Sequence, residues 1–207
     1  MTLIQSAEIT SFNDRLTKPL LLDVSTTQLH VTDEQFEQLC YANPDLRLEL
    51  TSTGELIVMS PAFPITGERN ADLIVQVGIW NRRTKLGRLF DSSTGYNFRE
   101  LASGKPSPDV SWIQTDRLEG VELDKFLTVV PDFIIELRSS TDRLSAVQAK
   151  MIEYQKLGVR LGWLINPQDL QVEVYRSNNS VEILESPVEV SGEDVLPDFS
   201  LDLTTIW

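Results

Sequence analysis

Apolar and polar positions alternate most clearly in the middle of the chain. Phe133-Ile134-Ile135-Glu136-Leu137 is a nearly continuous apolar run broken by one acid, the pattern of a central strand covered on both faces. Leu144, Val147, Met151 and Tyr154 then step by three, four and three, which predicts a helix over 142–157 with Gly158 as its stop. Upstream, Thr32-Asp33-Glu34-Gln35 fits a capping box, Phe36, Leu39 and Cys40 give a short helix its apolar face, and Asn43-Pro44 ends it. Leu46 to Leu50 and Glu55 to Met59 alternate around Thr51-Ser52-Thr53-Gly54, which reads as a β-hairpin. After Pro61 and Pro64, the positions Asn70, Leu73, Ile74, Val77 and Trp80 recur at helical spacing, predicting a long helix over 66–86 that ends at Gly87. Strands are expected within 89–98 and over 110–113, 161–165, 172–175 and 181–184, with a charged loop and a small helix over 115–130. Residues 1–27 have no period and read as an N-terminal extension, leaving one domain over 28–207. The fold class is α/β (α+β), a mixed sheet with a helix on each side.

At 207 residues and 41% hydrophobic content, the chain is sized for one such domain. No apolar run approaches the ~20 residues of a membrane span, and the first residues lack the basic-then-apolar pattern of a signal peptide. Cys40 is the only cysteine, which excludes an intrachain disulfide and suits a reducing interior. The expectation is a cytoplasmic protein without a membrane partner. A net charge of −13 runs against nucleic-acid binding, but Arg82, Arg83, Lys85 and Arg88 fall within seven residues. Arg69 and Arg99 are candidates to join them in space. The run is either a phosphate-facing patch or an ordinary solvated helix end.

Two acids stand out. Asp109 opens a strand after Ser107-Pro108, and Glu136 follows 27 positions later inside an apolar run. An ionised carboxylate there is costly unless a cation or hydrogen bonds meet it. Arg138, two positions on and on the same strand face, is the bland partner; a metal ion is the chemical one. Lys150 lies about 70° from the centre of the helical stripe, flanking the buried face. Two strand-borne carboxylates and a lysine are the parts of divalent-metal phosphodiester hydrolysis. Rival chemistries lack theirs. His30 is the sole histidine and precedes a helix, so zinc sites built on histidine and cysteine and Ser-His-Asp catalysis lack their parts, no glycine-rich phosphate loop occurs, and a glycosidase pair would leave the lysine idle.

Pro108-Asp109, Glu136-x-Arg138 and Lys150 resemble the PD-(D/E)xK nuclease superfamily. Glu55-Leu56-Ile57-Val58-Met59-Ser60-Pro61, Pro131 to Leu137, Ser140-Thr141-Asp142-Arg143, Lys150 to Tyr154, Gly158-Val159-Arg160-Leu161 and Gly192 to Pro197 together resemble the Uma-type restriction endonucleases, over about residues 28 to 207. The resemblance implies a restriction-endonuclease-like core and a Mg²⁺-dependent (or Mn²⁺-dependent) endonuclease acting on DNA. It implies Asp109 and Glu136 as metal ligands and Lys150 as the catalytic lysine. Arg138 stands where the superfamily's simplest pattern has lysine, which moves that role to the helix. The Ile135 carbonyl is a candidate third oxygen, and Glu49 and Glu68 are weaker candidates for a further acidic ligand. Arg69, Arg82, Arg83, Lys85, Arg88 and Arg138 are candidate phosphate contacts, and a homodimer is expected. The rival class is a catalytically inactive nuclease-fold binding protein, distinguished by whether Asp109, Glu136 and Lys150 converge.

Overall fold

The computed structural model describes residues 30–51, 54–59, 61–98 and 106–207; the expected extension over 1–27, two residues of the hairpin turn and Arg99 lie outside them. Helix α1 (Asp33–Ala42) starts on the expected capping box: the Gln35 N–H donates to Thr32 Oγ1, and the Thr32 N–H to Gln35 Oε1. Strands β1 (Leu48–Leu50) and β2 (Leu56–Val58) form the expected hairpin, with Glu49 opposite Ile57. Leu50 packs with Val31 and Phe36 in a small core. Strand alternation therefore turns Glu49 to the other face.

Helix α2 (Pro64–Thr84) buries Thr66, Leu73, Val77 and Trp80. It begins two residues earlier than the spacing implies, because Pro64 suits the first helical position, where no backbone donor is needed. Gly87 is not its stop: Lys85 takes the left-handed conformation and its N–H donates to the Asn81 carbonyl. Gly87 opens strand β3 (Gly87–Asp91) instead. A Cβ on Gly87 would come within 2.4 Å of the Ile113 carbonyl oxygen and the Trp112 ring, so close strand packing is what requires glycine there.

Strand β4 (Val110–Gln114) runs into a 3₁₀ turn (Thr115–Leu118). Then follow β5 (Phe133–Leu137), α3 (Leu144–Leu157), β6 (Leu161–Asn166), β7 (Gln171–Arg176) and β8 (Val181–Glu185). Strands β3 to β8 lie side by side in chain order; β5 and β6, joined through α3, pair in parallel and the others antiparallel. Helix α3 starts two residues later than expected because the Asp142 carboxylate accepts the Ser139 N–H and closes a turn ahead of it. On one sheet face Phe133, Ile135 and Leu137 pack with α2. On the other Ile134 packs with Met151 and Tyr154 of α3. The two helices thus sit on opposite faces, as expected, and β5 is buried throughout.

A hairpin of β9 (Glu189–Ser191) and β10 (Ser200–Asp202) was not anticipated. Each strand turns a single side chain inward, too short a stretch to show a period. With the segment between them, Val190, Val195, Leu196, Phe199 and Leu201 complete the core on the α2 face.

Candidate active site

Glu136 points toward α3, on the same face of β5 as Ile134. Its Oε1 meets Lys150 Nζ at 3.0 Å and accepts from the Tyr154 hydroxyl at 3.0 Å. Lys150 and Tyr154 are one helical turn apart, so α3 presents both to one acid. Lys150 Nζ also reaches Glu49 Oε1 at 3.2 Å and the Ser107 carbonyl at 3.4 Å, and the Ser107 N–H donates to the same Glu49 oxygen at 3.0 Å. Asp109 stands one residue before β4. Its Oδ2 accepts the Leu137 N–H at 2.9 Å, and Asn70 Nδ2 of α2 lies 3.4 Å from Oδ1. Strands β1, β4 and β5 and both long helices therefore meet at one sheet end. The bland partner for Glu136 is corrected: Arg138 turns away to Asn166 Oδ1 at 3.1 Å and Asp169 Oδ2 at 3.3 Å.

Charge in this cluster is unbalanced. The side chains of Glu49 and Glu136 are 8% exposed and that of Lys150 23%, so three acids share one ammonium in a poorly solvated place. Burial pushes the Glu136 carboxyl up to about 8; Lys150 opposes this, while Asp109 and Glu49 add to it. Burial also raises Asp109, against the Leu137 N–H and Lys150. For Lys150, burial acts against the charge, but Glu136, Glu49 and Asp109 prevail and hold the ammonium above the usual lysine range. Burial raises the Tyr154 hydroxyl too, followed by the nearby Glu136 charge, which keeps it a donor.

The donor set suits a hard divalent cation: carboxylate oxygens in surplus over positive charge, and beside Asp109 a buried Asn70 Oδ1 with no hydrogen-bond partner. Among the described residues no group of three or more His, Cys, Asp or Glu side chains is arranged to hold a metal ion by itself. Mg²⁺ asks for less, taking one or two carboxylates with water and substrate oxygens.

The other candidates are dispersed. Ile135 is paired in register with Val110 and Trp163, its side chain in the core on the face away from Lys150. Glu68 is exposed near the start of α2 and Arg69 is half-buried beside it. Arg82, Arg83, Lys85 and Arg88 are all exposed, at the far end of α2 and the start of β3. Arg82 is twelve residues past Asn70, about 18 Å along the helix. Arg69 therefore does not join the basic run; helix length separates them. Sequence reasoning missed Tyr154, Asn70 and Ser107 as partners of the acids. The four-residue step from Lys150 to Tyr154 was the available signal, but Tyr154 also fits the apolar stripe and reads as core.

A family model described as "Putative restriction endonuclease" matches residues 33–204. A crystal structure of a protein from Anabaena variabilis, described as "a putative nuclease belonging to DUF820", is similar with a TM-score of 0.72 and 20% identity. The match covers 85% of this chain and 97% of that one, a likeness of fold. No curated protein matches the chain. Among the described residues, no helix is long and apolar enough to cross a membrane. With the family model spanning residues 33–204 and a mixed sheet flanked by helices, the chain belongs to the Uma2 family and has its restriction-endonuclease-like fold.

Proposed function

We propose that the protein is a Mg²⁺- or Mn²⁺-dependent endonuclease that hydrolyses DNA phosphodiester bonds. The observation that carries this reading is the meeting of Lys150 with Glu136 and Glu49, beside an Asp109 tied to the residue after Glu136. A scattered arrangement would have favoured the inactive binding protein. Asp109 and Glu136, with the Ile135 carbonyl as a third oxygen and Glu49, more remotely Glu68, as a further acid, would hold a divalent cation, which supplies Lewis-acid charge against that developing on the phosphate.

The chain's own groups do the rest. Three acids keep Lys150 protonated, so it acts as a hydrogen-bond donor and fixed positive charge, and not as a general base. It is the most exposed member of the Glu49–Glu136–Lys150 cluster, and from there it would orient the attacking water and stabilise the pentacovalent phosphorus centre. Tyr154 and the Ser107 N–H each hold one oxygen of an acid, limiting its rotation. Arg82, Arg83, Lys85 and Arg88 would contact backbone phosphates away from the scissile bond and carry no sequence information. Arg69 lies nearer the acids on the same helix, whereas the Arg138 fork is already engaged by Asp169 and Asn166.

The test is incubation of purified protein with plasmid and with single-stranded DNA in Mg²⁺, Mn²⁺ or chelator. Cleavage is expected with metal and not in chelator. Lys150→Ala is expected to abolish it with metal binding nearly intact, and Asp109→Ala to lose both. Unchanged metal binding by Glu136→Ala would contradict the site. No cleavage under any condition would leave the nuclease fold serving a binding role.

A further inference from the structure

The outer face of α2 carries a pattern that the acid–lysine cluster does not account for. Glu68, Asp72, Val75, Ile79 and Arg82 step by four, three, four and three, the spacing of a seam between two packed helices. They span about 80° of the helix, opposite the buried Thr66, Leu73, Val77 and Trp80. Val75 is 53% and Ile79 58% exposed, so the middle of the seam is apolar and unpartnered among the described residues. Its ends are charged, acidic toward the start of the helix and basic toward its end. An open groove of about 610 Å³ runs along one flank between α2 and β3, lined by Ile74, Val75, Gly78, Ile79, Arg82 and Leu89.

We propose that this face joins two copies of the chain, with their α2 helices packed antiparallel about Val77. The pattern is self-complementary in that arrangement alone. Val75 and Ile79 lie two positions either side of Val77, and Asp72 and Arg82 five positions either side. A two-fold axis there sets Val75 against Ile79 of the partner subunit and Asp72 against Arg82 of the partner subunit, at both ends. A parallel pairing would set like charges together. An acidic strand lying on β3 would satisfy Arg82 but oppose Glu68 and Asp72. One helix face is small beside the ~800 Å² per partner of a standard interface. The partner helix must also use the groove, and the association is expected in about the micromolar range.

The arrangement answers the separation noted above, in a consequence that rests on the nuclease reading. Counting about Val77, the partner subunit's Arg82 to Lys85 come level with residues 69–72, the turn of α2 whose Asn70 meets Asp109. Each basic run then comes to the same level along α2 as the other subunit's acids, with the width of that helix between them.

The test is sedimentation equilibrium of the full chain without nucleic acid, so its outcome does not depend on cleavage. Wild type is expected to dimerise below about 100 μM. Ile79→Glu and Arg82→Asp, both at exposed positions, are expected to weaken association at least tenfold without changing the melting temperature at concentrations where wild type is itself monomeric. Asp72 also accepts from Thr205 Oγ1 and Gln76 Nε2, so Asp72→Arg is used only after its melting curve matches wild type. Asp72→Arg and Arg82→Asp chains should each be monomeric alone, and an equimolar mixture should dimerise, because both charge pairs reform across the axis. A monomeric wild type, or dimerisation that Ile79→Glu and Arg82→Asp leave unchanged, would overturn the proposal while leaving the nuclease reading to its own test.

Discussion

Removing the Lys150 ammonium would leave Glu49 and Glu136 without the cation that touches both. A poorly solvated carboxylate without a partner is costly. Lys150→Ala is therefore expected to lower the melting temperature in chelator and, with metal binding nearly intact, to gain about as much from Mg²⁺ as wild type does. An unchanged melting temperature in chelator, read by scanning calorimetry, would count against a shared charge role. Glu136 also makes stability depend on pH. Its carboxyl is raised from the ordinary 4.5 to about 8, so between these values the folded state binds the extra proton and stability falls as pH rises. Glu136→Gln should flatten that decline in chelator. Metal binding should release a proton and strengthen toward pH 8, which calorimetry in buffers of different ionisation enthalpy would detect. Glu136 was legible because an acid in an apolar strand demands an explanation. Glu49 was barely legible, since a polar residue in an alternating strand is ordinary until its face is known.

At the scale of elements, α3 both packs the core and brings Lys150 and Tyr154 to Glu136, and two substitutions separate these roles. Met151 is buried against Ile134. Met151→Ala is expected to cost about 2–5 kcal/mol of stability while folded molecules keep their metal affinity. Tyr154→Phe keeps the ring and loses only the donation to Glu136. It should lower the melting temperature less than Met151→Ala does and should weaken metal binding about tenfold, as loss of groups behind a ligand does. Denaturant unfolding and metal titration of both variants check this; the reverse pattern would make Tyr154 a packing residue alone. Helix α3 was readable because its apolar positions hold one period for three turns. The β9–β10 hairpin was not, because single inward residues carry no period.

At the scale of the molecule, a chain of net charge −13 must gather its positive charge locally to hold a polyanion. Reversing Arg83 and Arg88 to glutamate is expected to weaken DNA binding across sequences alike. Its salt dependence should fall by about one unit of slope for each phosphate no longer neutralised. Binding titrations at several salt concentrations read the slope, and an unchanged slope would show the basic run to be an ordinary solvated helix end.

The pattern of the chain determined the strand–helix–strand unit from β5 through β6 and the capping box of α1, and it singled out Asp109, Glu136 and Lys150 as candidates. Those features are local: a period of two or 3.6, a cap, or an acid where apolar residues belong. Tertiary structure alone decided that Glu49 joins them, that Arg138 goes to Asp169, and that the basic run lies a helix length from the acids. These outcomes depend on which strand edge and helix end meet in space. Distant side chains choose their partners only once the sheet order and the helix positions are set.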